Sequence, residues 1–334
     1  MRIGIDLGGT KTEIICLDSN SGKELYRQRV PTIPNSYEAT IKTITNLVTT
    51  AENVLGLQGS VGIGIPGTVS NQTGKVKNAN STWLIGHPLD KDLEHALGRP
   101  VRVENDANCF AVSEATDGAG AGKPIVFGVI VGTGCGGGIA LDGKALRGAN
   151  GIAGEWGHNP LPYPKIYGDK MSLDSKETPF NYFTDDPMEA EYPGRLCYCG
   201  RRGCIETWIS GSGFKDDYKR VTGETLSANE IAHASTQGEI KAVAALDSYM
   251  DRMARALAYV INIIDPDVIV LGGGMSNVGA LYTEVPKLWQ KYLFTDTVDT
   301  VLLPPTHGDS SGVRGAAWLW GNEPSSRNPI KIIS

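Results

Sequence analysis

A chain of 334 residues is long enough for two domains with separate cores. Its 40% hydrophobic and 20% charged residues give an ordinary globular balance, and a net charge of −6 argues against a nucleic-acid partner. The opening MRIGIDLGGT lacks the basic stretch and apolar core of a secretory leader, and no apolar run approaches the roughly 20 residues of a membrane span, so the expectation is a cytoplasmic protein with no membrane partner.

Residues 2–7 (RIGIDL) predict a strand, followed by a Gly-Gly-Thr turn and a second strand-like run, TEIICLD. Residues 36–56 have helical spacing in Ile41, Ile44, Leu47, Val48 and Leu55, with Gly56 as the stop. VGIGIPG (61–67) and VRVEND (101–106) are further strands, and 107–117 reads as a helix. IVFGVIVGTGCGGGIALDG (125–143) then repeats the opening scheme of strand, glycine turn, strand, which suggests a loose internal duplication. A long helix is predicted over about 240–264, stopped by Asp265-Pro266-Asp267, then a buried strand at 268–274 and a last helix at 312–320, with a loose polar tail after Gly321. Residues 160–196 have no clear periodicity and read as a long loop or insertion. Alternating strands and helices give an α/β class with largely buried sheets.

The 42 glycines, nearly double the usual share, cluster at strand ends, where a backbone must approach a ligand. The first cluster, Asp6-Leu7-Gly8-Gly9-Thr10-Lys11, imitates a phosphate-binding P-loop but places Thr10 before Lys11 and opens a strand instead of a helix. Its glycines and backbone N–H groups can still cradle phosphate, and Asp6 can hold magnesium through water. The second, Gly132-Thr133-Gly134-Cys135-Gly136-Gly137, matches G-x-G-x-x-G, yet IALDG continues as strand and argues against a dinucleotide fold. The third, Gly272-Gly273-Gly274, follows a buried strand and can admit a flat adenine. Together the three loops suit a nucleotide held between two related domains.

Cys197, Cys199 and Cys204 put three thiols within eight residues. Three Cys and one His make a closed tetrahedral zinc set, structural in kind. The nearest upstream histidine is His158, 39 positions before Cys197. Asp106 ends a strand in VENDAN, where it can serve as a proton acceptor or as a helix N-cap, with Asn105 beside it. Glu155 and Glu206 flank the metal candidates, and carboxylates grouped with Asn suit a polyhydroxylated ligand.

These residues together resemble the ROK family of sugar kinases and sugar-responsive repressors, most specifically in GEWGH (154–158) and CYCGRRGCIE (197–206). KNANSTW, ENDAN, GEWGHNPLP and HGDSSGVRGAAWLW are similar to the bacterial fructokinases, or manno(fructo)kinases, of that family. The resemblance implies two actin-like (ribonuclease H-like) domains with ATP and sugar in the cleft: residues 1–122 joined by a C-terminal helix at about 310–324, and 123–309 carrying the zinc loop and the insertion. It implies Asp106 as the base that deprotonates the sugar hydroxyl, and sugar contacts from Gly67, Asn80, Asn105, Glu155, His158 and Glu206. It implies zinc on His158, Cys197, Cys199 and Cys204, and Mg-ATP phosphates at Gly8 to Lys11 and Gly132 to Gly134. The stretch between His158 and Cys197 is longer than in the similar fructokinases, so 165–195 is expected to form a lid or interface. D-fructose is the first expected substrate, with mannose, glucose or an N-acetylhexosamine as the alternative, and a homodimer is the expected assembly. A sugar-sensing repressor is the remaining reading. It is disfavoured by acidic balance and by the absence of room for a DNA-binding segment before the first loop.

Overall fold

The chain opens with the hairpin that its apolar runs predict. In the computed structural model, which describes residues 1–167, 183–184, 186, 189–308 and 311–321, β1 (Arg2–Leu7) and β2 (Lys11–Leu17) pair antiparallel, with Asp6 opposite Glu13. Both strands are almost wholly buried, as in a sheet covered on two faces. β3 (Glu24–Pro31) adds the edge. Its sequence ELYRQRVP alternates between exposed and half-buried positions, so hydropathy alone did not mark it. α1 (Tyr37–Leu55) fills its predicted span: the Ser36 hydroxyl accepts the Ala39 N–H at its start, and Gly56 at φ 63° ends it in the left-handed conformation. Then come β4 (Ser60–Ile65), a short hairpin of β5 (Thr68–Val69) and β6 (Val76–Lys77), α2 (Leu89–Leu97), β7 (Val101–Asn105) and α3 (Asp106–Thr116). The first sheet runs β3-β2-β1-β4-β7, with β1, β4 and β7 parallel.

The second sheet repeats this plan. β8 (Ile125–Val131), β9 (Cys135–Leu141) and β10 (Lys144–Ala145) form an antiparallel meander. A small parallel pair, β11 (Ile166–Tyr167) and β12 (Phe183–Thr184), precedes α4 (Glu206–Ile209), α5 (Gly211–Thr222), α6 (Ala228–Thr236) and the long α7 (Ile240–Ile264). β13 (Val268–Gly272), α8 (Ala280–Trp289) and β14 (Val301–Leu303) complete it, in the order β10-β9-β8-β13-β14 with β8, β13 and β14 parallel. Equal strand order in both halves bears out the loose repeat seen in sequence, and it is the doubled actin-like plan.

A pair of crossing helices joins the two sheets. α9 (Ser311–Trp318) lies on the first sheet, with Val313, Ala317 and Trp318 packed on Ile15 and Leu17. α3 lies on the second, with Phe110, Ala111 and Ala115 packed on Val126, Ala140 and Val270. The approach is too close for side chains at several points. A Cβ on Gly4 would fall 2.1 Å from the Val313 carbonyl oxygen, one on Gly62 1.9 Å from that of Ala316, and one on Gly315 1.6 Å from that of Cys109. The expected boundary near 122 falls in the loop after α3. In packing terms, though, each half lends the other a helix.

Within 160–196, the end of the segment is tied down by Glu191. Its buried carboxylate accepts from Arg252 Nε and from both terminal nitrogens of Arg255 at 2.8 Å, and from the Lys165 N–H at 2.9 Å. The lid or interface expected there, and the loose tail expected after Gly321, fall chiefly outside the described residues. Among the described residues no helix is long and apolar enough to cross a membrane.

Candidate active site

Asp106 opens α3 at the point where β7 ends. Sequence left it as either N-cap or proton acceptor. The cap is Asn105 instead: its Oδ1 accepts the N–H groups of Ala107 at 2.9 Å and Asn108 at 3.3 Å, while its Nδ2 donates to the Gly67 carbonyl at 3.1 Å. Asn105 therefore holds both the helix start and the Gly67 loop. Gly67 sits at φ 125°, where a Cβ would fall 2.8 Å from the Lys77 carbonyl oxygen and 2.9 Å from Ala79, so this turn presses on the strand that leads to Asn80. Asn80 itself is exposed.

The carboxyl of Asp106 accepts the Ala107 N–H at 2.8 Å. Burial pushes it up to about 6; that N–H pulls the other way, and the charge of Glu155 adds to the rise. Asp6, at the end of β1, is pushed up to about 6 as well, by burial first and by the Asp106 charge second, with Glu13 contributing. Two half-buried carboxylates, at the ends of β1 and β7 of the first sheet, thus repel each other. Such a pair invites a cation or a proton-transfer role.

Glu155 precedes a single helical turn, Trp156–His158, and Trp156 fixes that turn by donating from Nε1 to the Gly136 carbonyl at 3.1 Å. His158 Nδ1 lies 3.6 Å from Cys197 Sγ, and Cys199 Sγ lies 3.7 Å from Cys204 Sγ. All four ligand atoms fall within 4.8 Å of one another. With Zn–S at about 2.3 Å and Zn–N at about 2.05 Å, a tetrahedral ion implies S···S edges of about 3.8 Å and S···N edges of about 3.6 Å. The Cys197–His158 and Cys199–Cys204 separations match those edges. The thiol chemistry agrees: the Arg201 backbone N–H holds Cys199 down to about 6, whereas burial pushes Cys204 up to about 12, a cost that a bound dication would offset. The set therefore fits a closed structural zinc site.

The same loop reaches the second glycine loop. Glu206 Oε2 accepts the Cys135 N–H at 2.9 Å, and a Cβ on Gly134 would fall 2.8 Å from that oxygen. Gly132, with its N–H on the Gly134 carbonyl, accepts in turn from the Gly211 N–H at 2.7 Å. Gly273, at φ 79°, comes so close to Val131 that a Cβ would fall 2.5 Å from its carbonyl oxygen, so the second and third loops abut. Gly272 is engaged in packing, since a Cβ there would meet the Phe110 ring at 2.7 Å. Beyond the third loop a cavity of about 540 Å³ is lined by His233, Met250, Asn277, Val278 and Gly279. In the first loop, Gly9, Thr10 and Lys11 are exposed, and Lys11 begins a strand, as the reading against a P-loop required.

Several contributors escaped the sequence reading. Thr32, on the far side of β3, donates its hydroxyl to the Gly8 carbonyl at 2.8 Å and its N–H to the Thr10 carbonyl at 3.0 Å, so it shapes the first loop. Buried Glu104 accepts from the Asn105 N–H at 2.9 Å and from Asn108 Nδ2 at 3.0 Å, backing the turn that aims Asp106. Only the run VENDAN hinted at that cluster. A larger cavity, about 1070 Å³, is lined by Glu104, Arg147, Val112, Trp318 and Trp320 among others, and by none of the expected site residues. The candidate site is therefore taken from the mutually interacting charges of Asp6, Asp106 and Glu155 and not from cavity volume.

The model of the ROK family matches residues 2–323. The chain belongs to the ROK family. This ROK chain is 39% identical over 319 residues to an N-acetyl-D-glucosamine kinase of Yersinia enterocolitica, covering 96% of this chain and 99% of that protein. Its fold matches the ROK hexokinase of Thermus thermophilus with a TM-score of 0.78 at 28% identity, covering 95% of this chain and 97% of that one. It also matches a ROK glucokinase of Streptomyces griseus, solved with glucose and AMPPNP, with a TM-score of 0.70 at 29% identity and coverage of 95% and 98%. The two-domain actin-like architecture of this ROK protein is thus shared with ROK sugar kinases.

Proposed function

We propose that this chain is an ATP-dependent hexose kinase whose sugar is N-acetyl-D-glucosamine. The observation that carries the reading is the pair of Asp6 and Asp106, interacting carboxylates at the ends of β1 and β7 of the first sheet, together with the glycine loops that follow β1 and β8. The sugar assignment is supported by the N-acetyl-D-glucosamine kinase similar to this chain along almost its whole length. It replaces D-fructose, the first expectation from sequence, with the amino sugar held there as the alternative.

In this reading Asp106 accepts the proton of the attacking sugar hydroxyl, and its raised pKa suits a base that must take and return a proton near neutrality. Glu155, His158 and the Asn80 and Gly67 loops hold sugar hydroxyls, with Asn105 setting the Gly67 carbonyl. Glu206, already bonded to Cys135, couples the sugar side to the second phosphate loop. The loops of Gly8 to Lys11 and Gly132 to Gly134 receive the phosphates, and the cavity by His233 and Asn277 receives the adenine. Asp6 would hold magnesium, which neutralises phosphate charge when bound. His158, Cys197, Cys199 and Cys204 would hold zinc, which fixes the loop that carries Glu206. Residues 1–122 with α9, and 123–309, act as the two closing lobes.

A coupled assay of ADP formation with Mg-ATP and a panel of N-acetyl-D-glucosamine, glucose, mannose and fructose tests the reading. Stimulation by the amino sugar above all others is expected. No stimulation by any hexose would end the kinase reading.

A further inference from the structure

Tyr198 stands between two of the metal-set cysteines, and the kinase reading leaves it without a role. The residue is 77% exposed, an unusual setting for a large ring next to two buried thiols. Its hydroxyl is nonetheless fixed. It lies 2.9 Å from His158 Nε2, and the two rings meet edge to face with centroids 5.1 Å apart. Glu206 and Glu155 lie within electrostatic reach of the same hydroxyl. The Tyr198 oxygen therefore sits against one of the side chains proposed to hold the sugar, with the charges of two others acting on it.

The imidazole makes this contact exclusive. His158 Nδ1 faces Cys197 Sγ at 3.6 Å and belongs to the metal set. With Nδ1 engaged there, the neutral ring carries its proton on Nε2. One N–H serves one strong acceptor, so the Tyr198 oxygen and a sugar oxygen cannot both take it. We propose that Tyr198 is a place-holder for the sugar: its hydroxyl fills the His158 Nε2 position in the free protein and is displaced when a hexose binds. The inference rests on the kinase reading, because it needs a hydroxylated ligand at His158. Displacement requires only a side-chain rotation. The ring is exposed, and Cys197 and Cys199 hold the backbone on either side. Exposed rotamers of this kind change within nanoseconds. In the free protein the contact keeps the imidazole aligned, as an outer partner does for a metal-bound histidine. It also sets a threshold: a sugar must offer an oxygen to His158 at least as good as the phenol it expels.

The test is calorimetric titration of N-acetyl-D-glucosamine into the zinc-loaded protein without ATP, alongside steady-state kinetics. Tyr198→Phe keeps the ring and removes only the competitor. Its affinity for the sugar is expected to rise about two- to tenfold, the range of one neutral hydrogen bond, with the sugar KM falling alike and the ATP KM unchanged. Unchanged or weaker sugar binding in this variant overturns the proposal. Tyr198→Ala should bind at least as tightly as the unmodified protein. Weaker binding there would instead make the ring a direct sugar contact and overturn the place-holder role. If the unmodified protein itself binds no hexose, the kinase reading has failed, a result distinct from a variant that differs in the wrong direction.

Discussion

Asp106→Asn separates the chemistry of the Asp6–Asp106 pair from its cost to the fold. A carboxyl moved from 3.8 to about 6 costs up to about 3 kcal/mol to ionise in the folded protein. Asp6 titrates with it, so the two share that cost and removing one relieves the other. The sign follows from the raised pKa. The native state favours the protonated group, so the penalty is absent below about pH 4, grows as pH rises and is complete above about 6. Part of the relief is lost because a negative charge at the first position of α3 suits the helix dipole, worth about 0.3–1 kcal/mol. The asparagine variant should therefore be about 1–2 kcal/mol more stable than the unmodified protein at pH 7.5, with the gap shrinking towards pH 5. Turnover should fall about 10²- to 10⁴-fold, the usual contribution of a positioned base. In the unmodified enzyme, kcat/KM should drop about tenfold per pH step below 6, and that limb should vanish in the variant. Urea unfolding at the two pH values and a pH–rate series read all of this. A variant that keeps more than a tenth of the turnover, or that is destabilised at pH 7.5, would refute the reasoning.

Gly315→Ala should loosen the joint between the sheets. Its new methyl would fall 1.6 Å from the Cys109 carbonyl oxygen, far inside contact distance, and a loss of 3 kcal/mol or more outweighs the helix preference for alanine of about 1 kcal/mol; thermal unfolding checks this. Cys204→Ser should lower the zinc content below one per chain and reduce stability, read by atomic absorption and melting, whereas full occupancy would remove the metal assignment. Asn105→Ala should cost about 0.5–2 kcal/mol as a lost cap and should raise the sugar KM more than the ATP KM, because the Gly67 carbonyl loses its donor; equal changes in both constants would deny the link to the sugar side.

The sequence made the chemistry easier to see than the architecture that aims it. Cys197, Cys199 and Cys204 are close in the chain, so their clustering needed no fold; His158 needed one, and the bridge between Pro160 and Cys204 supplies it. Helix α1 was readable end to end because Ser36 and Gly56 are local signals. β3 and α2 were not, since an edge strand and a short polar helix take their stability from neighbours. The glycines were read as ligand loops, and those after β1 and β8 do lie in turns between strands. Gly4, Gly62 and Gly315 serve another end, the close crossing of α9, which no local pattern reveals. Asp106 stayed ambiguous because Asp and Asn both cap helices; only the placement of the Asn105 amide shows which one caps α3.

The most direct test of the account is a competition. With Mg-ATP limiting and equal N-acetyl-D-glucosamine and D-fructose in one reaction, mass spectrometry of the products should find phosphorylated N-acetyl-D-glucosamine in large excess. Fructose phosphate as the main product, or no sugar phosphate at all, would contradict it.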